Sequence, residues 1–217
     1  MDTQLLLELF ILLIFLVAAR ALFLIHKTTT GHSKYASSKR KSPCRTLVCA
    51  GSGGHTTEIL ALISTLNPEK YSPRYYFLSN TDKTSVSKIE ELEKRWKNSS
   101  YTLKKIPRSR NVHQSYVSSI FTTVYSIFYT VPLVLWIQPD VILCNGPGTC
   151  VPVCLAGFLL KCACVKDTRI VFIESFCRTK SLSLTGKILV YFADNFLIQW
   201  PDLKKVIKRG DYVGQLM

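Results

Sequence analysis

The groups in this chain best suited to chemistry lie in four short stretches: Gly51-Ser52-Gly53-Gly54-His55, Arg108-Ser109-Arg110, Asn145-Gly146-Pro147-Gly148-Thr149 and Glu174-Ser175. Gly51, Gly53 and Gly54 tolerate positive φ and leave room for a ligand against the backbone. A helix that starts from such a turn aims its free N–H groups at anions, so the spacing suggests a phosphate-bearing ligand. The same glycines also suit a plain strand-to-helix turn with no ligand, and their spacing alone does not separate the two. Arg108 and Arg110 suit a phosphate or an anionic headgroup, or equally a solvated basic loop.

For these groups to meet, the elements before them must be parallel strands. Residues 46–50 carry no charge and read as a buried strand. Thr56 or Thr57 is placed to cap the following helix, with Glu58 in its first turn, and Asn67-Pro68 ends it. Strands are expected at 75–79, 101–106, 140–144, 169–173, 195–199 and 212–214. Between them come an amphipathic helix over 83–97 (Val86, Ile89, Leu92 and Trp96 on one face) and helices near 151–160 and 183–193. A short basic helix carries Lys204, Lys205, Lys208 and Arg209. This β-α-β alternation predicts a doubly wound parallel sheet, an α/β fold of Rossmann-like type. Ligands in such sheets bind at the carboxyl ends of the strands. Gly51 to His55, both arginines, Asn145 to Thr149, Glu174, Ser175 and Trp200 then converge on one rim.

Residues 5–25 are almost wholly apolar, long enough as a helix for roughly 31 Å and a bilayer crossing. The chain starts Met1-Asp2, without the basic start of a signal peptide, so a retained anchor is expected. The basic residues that follow (Arg20, His26, Lys27, Lys34, Lys39, Arg40, Lys41, Arg45) have no acid among them. By the positive-inside rule they place the remainder in the cytosol and the N-terminus in the lumen. The expected organisation is 1–27 lumenal N-terminus and anchor, 28–44 basic linker, and 45–217 cytosolic Rossmann-like domain. Residues 116–137 also match a span by length. A span there would put two parts of one domain on opposite sides of the membrane, so we read it as a helix packed on the sheet, broken by Pro132, with an aromatic face toward the membrane.

Across 217 residues the net charge of +14 points to an anionic partner. The basic run lacks interleaved aromatics and adjoins an anchor, which disfavours nucleic acid. Of eight cysteines none forms a CxxC pair, and Cys162-Ala163-Cys164 is a poor metal signature, so free thiols and no metal site are expected.

The order AGSGGH, PRSR, PDVILCNGPGT, VFIES, ADNFLIQWP, YVG resembles the asparagine-linked glycosylation 14 family, the membrane-anchored subunits of the eukaryotic UDP-N-acetylglucosamine transferase of the dolichol pathway, throughout residues 45–217. It is more distantly similar to the N-terminal half of the bacterial MurG-type GlcNAc transferase. The resemblance implies the acceptor-binding half of a split GT-B enzyme that needs no cofactor, with a soluble partner subunit supplying the donor domain. It implies transfer of a second GlcNAc to GlcNAc-diphosphodolichol on the cytosolic face of the endoplasmic reticulum. It also implies His55 as a general base, Glu174 as a second catalytic or orienting group, and Gly51, Ser52, Gly53, Gly54, Arg108, Arg110, Asn145, Gly146, Gly148 and Thr149 as binding the acceptor and its diphosphate. Each glycine also suits strand–helix packing, His55 a hydrogen bond that fixes its turn, and Glu174 a contact within its loop. Residues 213–217 are expected to dock the partner. A rival reading is a scaffold that only recruits the catalytic partner. A nucleotide-dependent oxidoreductase is disfavoured, because the third fingerprint glycine is replaced by Thr56 and no acid follows the second strand at the ribose position.

Overall fold

The computed structural model describes residues 3–31, 40, 42–110 and 114–216. Lys34, Lys39, Lys41, Met217 and most of the expected linker lie outside the described residues. Seven strands, β1 (Thr46–Ala50), β2 (Arg74–Ser79), β3 (Tyr101–Ile106), β4 (Val141–Asn145), β5 (Arg169–Ile173), β6 (Asn195–Ile198) and β7 (Asp211–Tyr212), form one sheet in the order β3-β2-β1-β4-β5-β6-β7. Every neighbouring pair is parallel. The helices are α1 (Thr3–Thr29), α2 (Gly54–Thr65), α3 (Ser85–Glu93), α4 (Tyr116–Ile137), α5 (Cys150–Cys162) and α6 (Leu184–Leu189), and Pro201–Lys205 forms a 3-10 turn.

Successive side chains on a strand point to opposite faces, and β1 and β4 bury both. Leu47, Cys49, Ile142 and Cys144 pack with α4, α5 and Ala21, Leu24 and Ile25 of α1. Val48, Ala50, Val141 and Leu143 pack with Ile59 and Ile63 of α2 and Ile89 and Leu92 of α3. The C-terminal part of α1 and α4–α6 therefore share one layer, and α2 and α3 form the other. β1 lies between β2 and β4. The chain moves outward from β1 through β2 to β3, then returns to β4 on the other side, so the topological switch point falls between β1 and β4.

The structure redraws several boundaries. Helix α2 starts at Gly54 with Gly53 as its N-cap and no side-chain cap, so neither Thr56 nor Thr57 caps it and Glu58 sits past its first residues. Helix α4 runs unbroken through Pro132. Proline forfeits one internal hydrogen bond, and the burial of Val134 and Ile137 against the core holds the turns around it. Strand β3 before α4 and β4 after it belong to the same sheet, so α4 packs on the domain. Its outer face exposes Val117, Phe121, Tyr125, Phe128 and Trp136. Helix α1 passes the expected boundary and docks its C-terminal part on the domain. Arg20 Nε donates to the Lys161 carbonyl at 3.0 Å, and Arg209 Nη1 donates to that of Thr28 at 3.4 Å.

Strand β2 begins one residue earlier than its apolar run because Arg74 is buried in an ion pair. Its Nε and Nη2 each donate to Glu93 at 2.7 Å, and Tyr76 and Ser99 hydroxyls donate to the same carboxylate. Burial pushes the Glu93 carboxyl up, but the hydrogen bonds from Arg74, Ser99 and Tyr76 outweigh it and hold the group below the usual carboxylate range. The stabilisation from this shift is thus complete above the unfolded value of about pH 4.3 and fades as pH falls through the lower folded value. Glu93→Ala strands a buried guanidinium. It is expected to destabilise the domain by about 3–5 kcal/mol at neutral pH and to flatten the acid limb of its thermal-melting profile.

Candidate active site

Two strand-to-helix turns face each other across the switch point. From β1 the chain enters Gly51 to Gly53 and then α2; from β4 it enters Gly146 to Thr149 and then α5. His55, in the first turn of α2, places Nδ1 2.9 Å from Asn145 Oδ1 at the end of β4. Asn145 is fully buried, and its Nδ2 donates to Glu58 Oε2 at 2.8 Å. Glu58 lies three residues after His55 on the helix and is 2 % exposed. Ser175 Oγ, Phe176 N and Gln199 Nε2 also donate to its carboxylate, each at 3.1 Å. One carboxylate on α2 thus ties together the ends of β4, β5 and β6.

This chain of bonds sets the histidine's tautomer. A carboxylate only accepts, so Asn145 turns Nδ2 to Glu58 and Oδ1 to His55. The Nδ1 position of His55 must then carry the proton, which leaves the Nε2 lone pair as the imidazole's proton acceptor. A second network holds the turn from below. Asp82 accepts from the Ser85 hydroxyl at 2.5 Å, and the Thr56 hydroxyl, packed against Ser85, donates to the Gly51 carbonyl. Burial raises the Asp82 carboxyl, but its bonds from Ser85 and Thr84 prevail and hold it below its usual range.

The glycines divide into two groups. Gly51 and Gly146 make room for the imidazole. A Cβ on Gly51 would lie 2.6 Å from His55 Cβ, and one on Gly146, where φ is +66°, would lie 2.5 Å from His55 Nδ1. Gly53, Gly54 and Gly148 face open space. Helices α2 and α5 begin there without side-chain caps, whereas Ser115 and Ser183 cap α4 and α6. Two uncapped helix N-termini beside a histidine are suited to an anion and a reacting hydroxyl. Gly146→Ala is expected to expel the imidazole from its seat and lower sugar transfer by the chain with its partner by about 10²-fold, as a misplaced catalytic group does. A crystal structure of the variant with His55 unmoved would contradict this.

The other expected residues separate. Arg108 reaches the glycine turn, with Nη2 3.3 Å from Ser52 Oγ. Arg110 turns away, donating through Nε and Nη2 to the Gln114 carbonyl at 3.3 and 3.1 Å. Thr149 is buried at the N-cap of α5. Glu174 is fully buried and accepts from Ser175 N at 3.1 Å and Ser183 N at 3.0 Å; Asn145, not Glu174, contacts His55. Burial raises its carboxyl above the usual range, partly offset by those bonds. Trp200 Nε1 donates to the Phe176 carbonyl at 2.6 Å and closes the same loop. Glu58 and Gln199 were not anticipated as site residues. The available sign was a glutamate three residues after His55, on the same helical face, among apolar neighbours. All eight cysteines are free thiols, and Cys49, Cys144, Cys150 and Cys154 are buried.

A parallel sheet with its rim at the switch point is a Rossmann-like α/β fold. The crystal structure of Acinetobacter baumannii MurG shares the fold with a TM-score of 0.52 at 15% identity, over 73% of this chain and 42% of that one. This chain therefore spans less than half the length of MurG. More specifically, the chain belongs to the family described as oligosaccharide biosynthesis protein Alg14 like, whose model matches residues 46–216. Among its relatives, the mouse UDP-N-acetylglucosamine transferase subunit ALG14 is 50% identical over 80% of this chain and 83% of its own length. The human protein of that name is 46% identical over 79% and 82%, and the Schizosaccharomyces pombe one 45% identical over 85% and 89%.

Proposed function

We propose that this chain is the membrane-anchored, acceptor-binding half of a two-chain UDP-GlcNAc transferase that adds the second GlcNAc to GlcNAc-diphosphodolichol. The acceptor diphosphate sits against the uncapped N-termini of α2 and α5, beside Gly53, Gly54 and Gly148, with Arg108 offsetting its charge. His55 Nε2 takes the proton of the acceptor 4-hydroxyl as that oxygen attacks the anomeric carbon of the donor sugar. The bond from that carbon to UDP breaks on the opposite face, so the linkage forms with inversion as β-1,4. Asn145 and Glu58 orient the imidazole, and Glu174 holds the loop after β5. A soluble partner supplies the UDP-GlcNAc domain, and neither chain is active alone. The membrane is that of the endoplasmic reticulum in this reading, and the basic residues that follow the apolar stretch of α1 support a domain on its cytosolic face. The exposed Tyr212 of the edge strand β7 and Val213 just after it are the proposed partner contact.

The observation that carries this reading is the His55–Asn145–Glu58 chain beside two uncapped helix ends. A chain that only recruits a catalytic partner needs no such rim. The test is to reconstitute the full-length chain with its donor-side partner in liposomes and to measure GlcNAc transfer from UDP-GlcNAc to a GlcNAc-diphospho-polyprenol. Product with both chains and none with either alone is expected; transfer by the partner alone would leave only the recruiting role.

A further inference from the structure

Helix α5 packs against both α4 and α6. The three helices leave a cleft of about 360 Å³, walled by Ile120, Val124, Val151, Leu184 and Ile188. Ser109, Arg110 and Gly148 also line it, with the hydroxyl-bearing Ser119, Thr123 and Thr185. Ser109 is 2 % exposed, and its hydroxyl has no hydrogen-bond partner among the described residues. A buried hydroxyl left unpaired costs about 1–3 kcal/mol, so its position on the wall of an open cleft marks a place for a ligand acceptor. The loop carrying it is fixed to α4. Thr122 and Thr123 hydroxyls donate to the Ser109 carbonyl at 2.6 and 3.2 Å, and Ser126 Oγ donates to that of Pro107 at 3.0 Å. The cleft is therefore preformed.

We infer that this cleft holds the first isoprene units of a polyprenyl diphosphate-linked sugar, with Ser109 donating to the phosphate nearest the chain. The inference rests on the proposed function and adds where the lipid part of the acceptor lies. Three observations select this occupant. Gly148 belongs both to the cleft and to the turn that begins α5, so a chain bonded to a phosphate at that turn enters the cleft directly. The lining combines five aliphatic side chains with hydroxyls and the Arg110 side chain, which matches an apolar chain ending in an anion. The cleft also opens in the helix layer that carries α1, on the side where α4 exposes Phe121, Tyr125 and Phe128. An apolar cavity of about 150 Å³ accommodates a benzene, so this one has room for roughly two to three five-carbon units.

The test uses the full-length chain with its partner in phosphatidylcholine liposomes and a GlcNAc-diphospho-polyprenol carrying a diazirine on its second isoprene unit. Photolabel is expected on residues 117–124 and 184–188, displaced by unlabelled acceptor and not by added phospholipid. Ile188→Trp and Val124→Trp, each first shown to melt like the wild type, are expected to cut that label at least fivefold. They should also abolish any preference for long-chain over short-chain acceptors. Ser109→Ala should weaken acceptor binding by roughly tenfold while leaving the melting temperature equal or raised, since it removes an orphaned hydroxyl. Label confined to α1, label competed equally by phosphatidylcholine, or label unchanged in both tryptophan variants would overturn the assignment. Cleft labelling without GlcNAc transfer would sustain the cleft and remove the proposed reaction; transfer with label elsewhere would do the reverse.

Discussion

His55→Ala is expected to lower GlcNAc transfer by about 10²–10⁴-fold, the range associated with a positioned general base. The loss should appear in kcat with little change in co-purification of the donor-side partner, because His55 is half-buried at the rim and its ring contacts Asn145 and Gly146. The fold should persist. The side chain lies outside the two apolar clusters that hold the sheet, and a shorter residue relieves rather than creates crowding at Gly51 and Gly146. Partner binding retained with activity lost separates a chemical role from recruitment. Full activity in the alanine variant would remove His55 from the mechanism.

Glu58→Gln should have an effect of similar size for a different reason. Four donors converge on the Glu58 carboxylate. A glutamine offers one carbonyl oxygen and turns an NH₂ group toward donors it cannot satisfy. At least one buried donor is left unpaired, which costs about 1–3 kcal/mol per group. Asn145 is then free to flip its amide, and His55 loses the partner that keeps the proton on Nδ1. A wrong tautomer alone can cost as much as about 10⁴-fold in a histidine-dependent enzyme. The expected result is a transfer rate reduced by at least about 10²-fold, together with a mixed His55 tautomer by ¹⁵N NMR of the labelled chain. Asn145→Ala cuts the same link while leaving three donors on Glu58, so it should lose comparable activity with a smaller loss of stability. An unchanged Nδ1-protonated His55 in both variants would show that Glu58 matters only to packing.

Much of the architecture was legible along the chain. The unbroken apolar strands, the two glycine turns and the turn from apolar to basic composition after residue 19 each depend on neighbours a few residues away. They yield the parallel sheet, the candidate rim and an apolar N-terminal helix long enough to cross a membrane. The expected strand positions agree with the structure to within about two residues; β1 and β4, buried on both faces, carry no charge at all. The helix start at Gly54 was missed because glycine at the N-cap needs no side chain. Pro132 was overread as a break because propensity rules do not weigh the burial that holds a proline-containing helix together.

The sequence by itself determined which elements form and which groups arrive at the carboxyl edge of the sheet, since both follow from local periodicity and chain order. Only the tertiary structure decided what those groups do to one another. Glu58, read in the sequence as a first-turn acid, becomes the buried acceptor that orients Asn145 and through it His55. Glu174, read as a catalytic group, spends its oxygens on its own loop, and Arg110 faces a lipid-sized cleft rather than the glycine turn. These outcomes depend on contacts between residues separated by as many as 141 positions, as in Gln199 with Glu58. Hydrogen-bond direction and burial at such contacts are set by the packing of whole elements, and no local pattern encodes them.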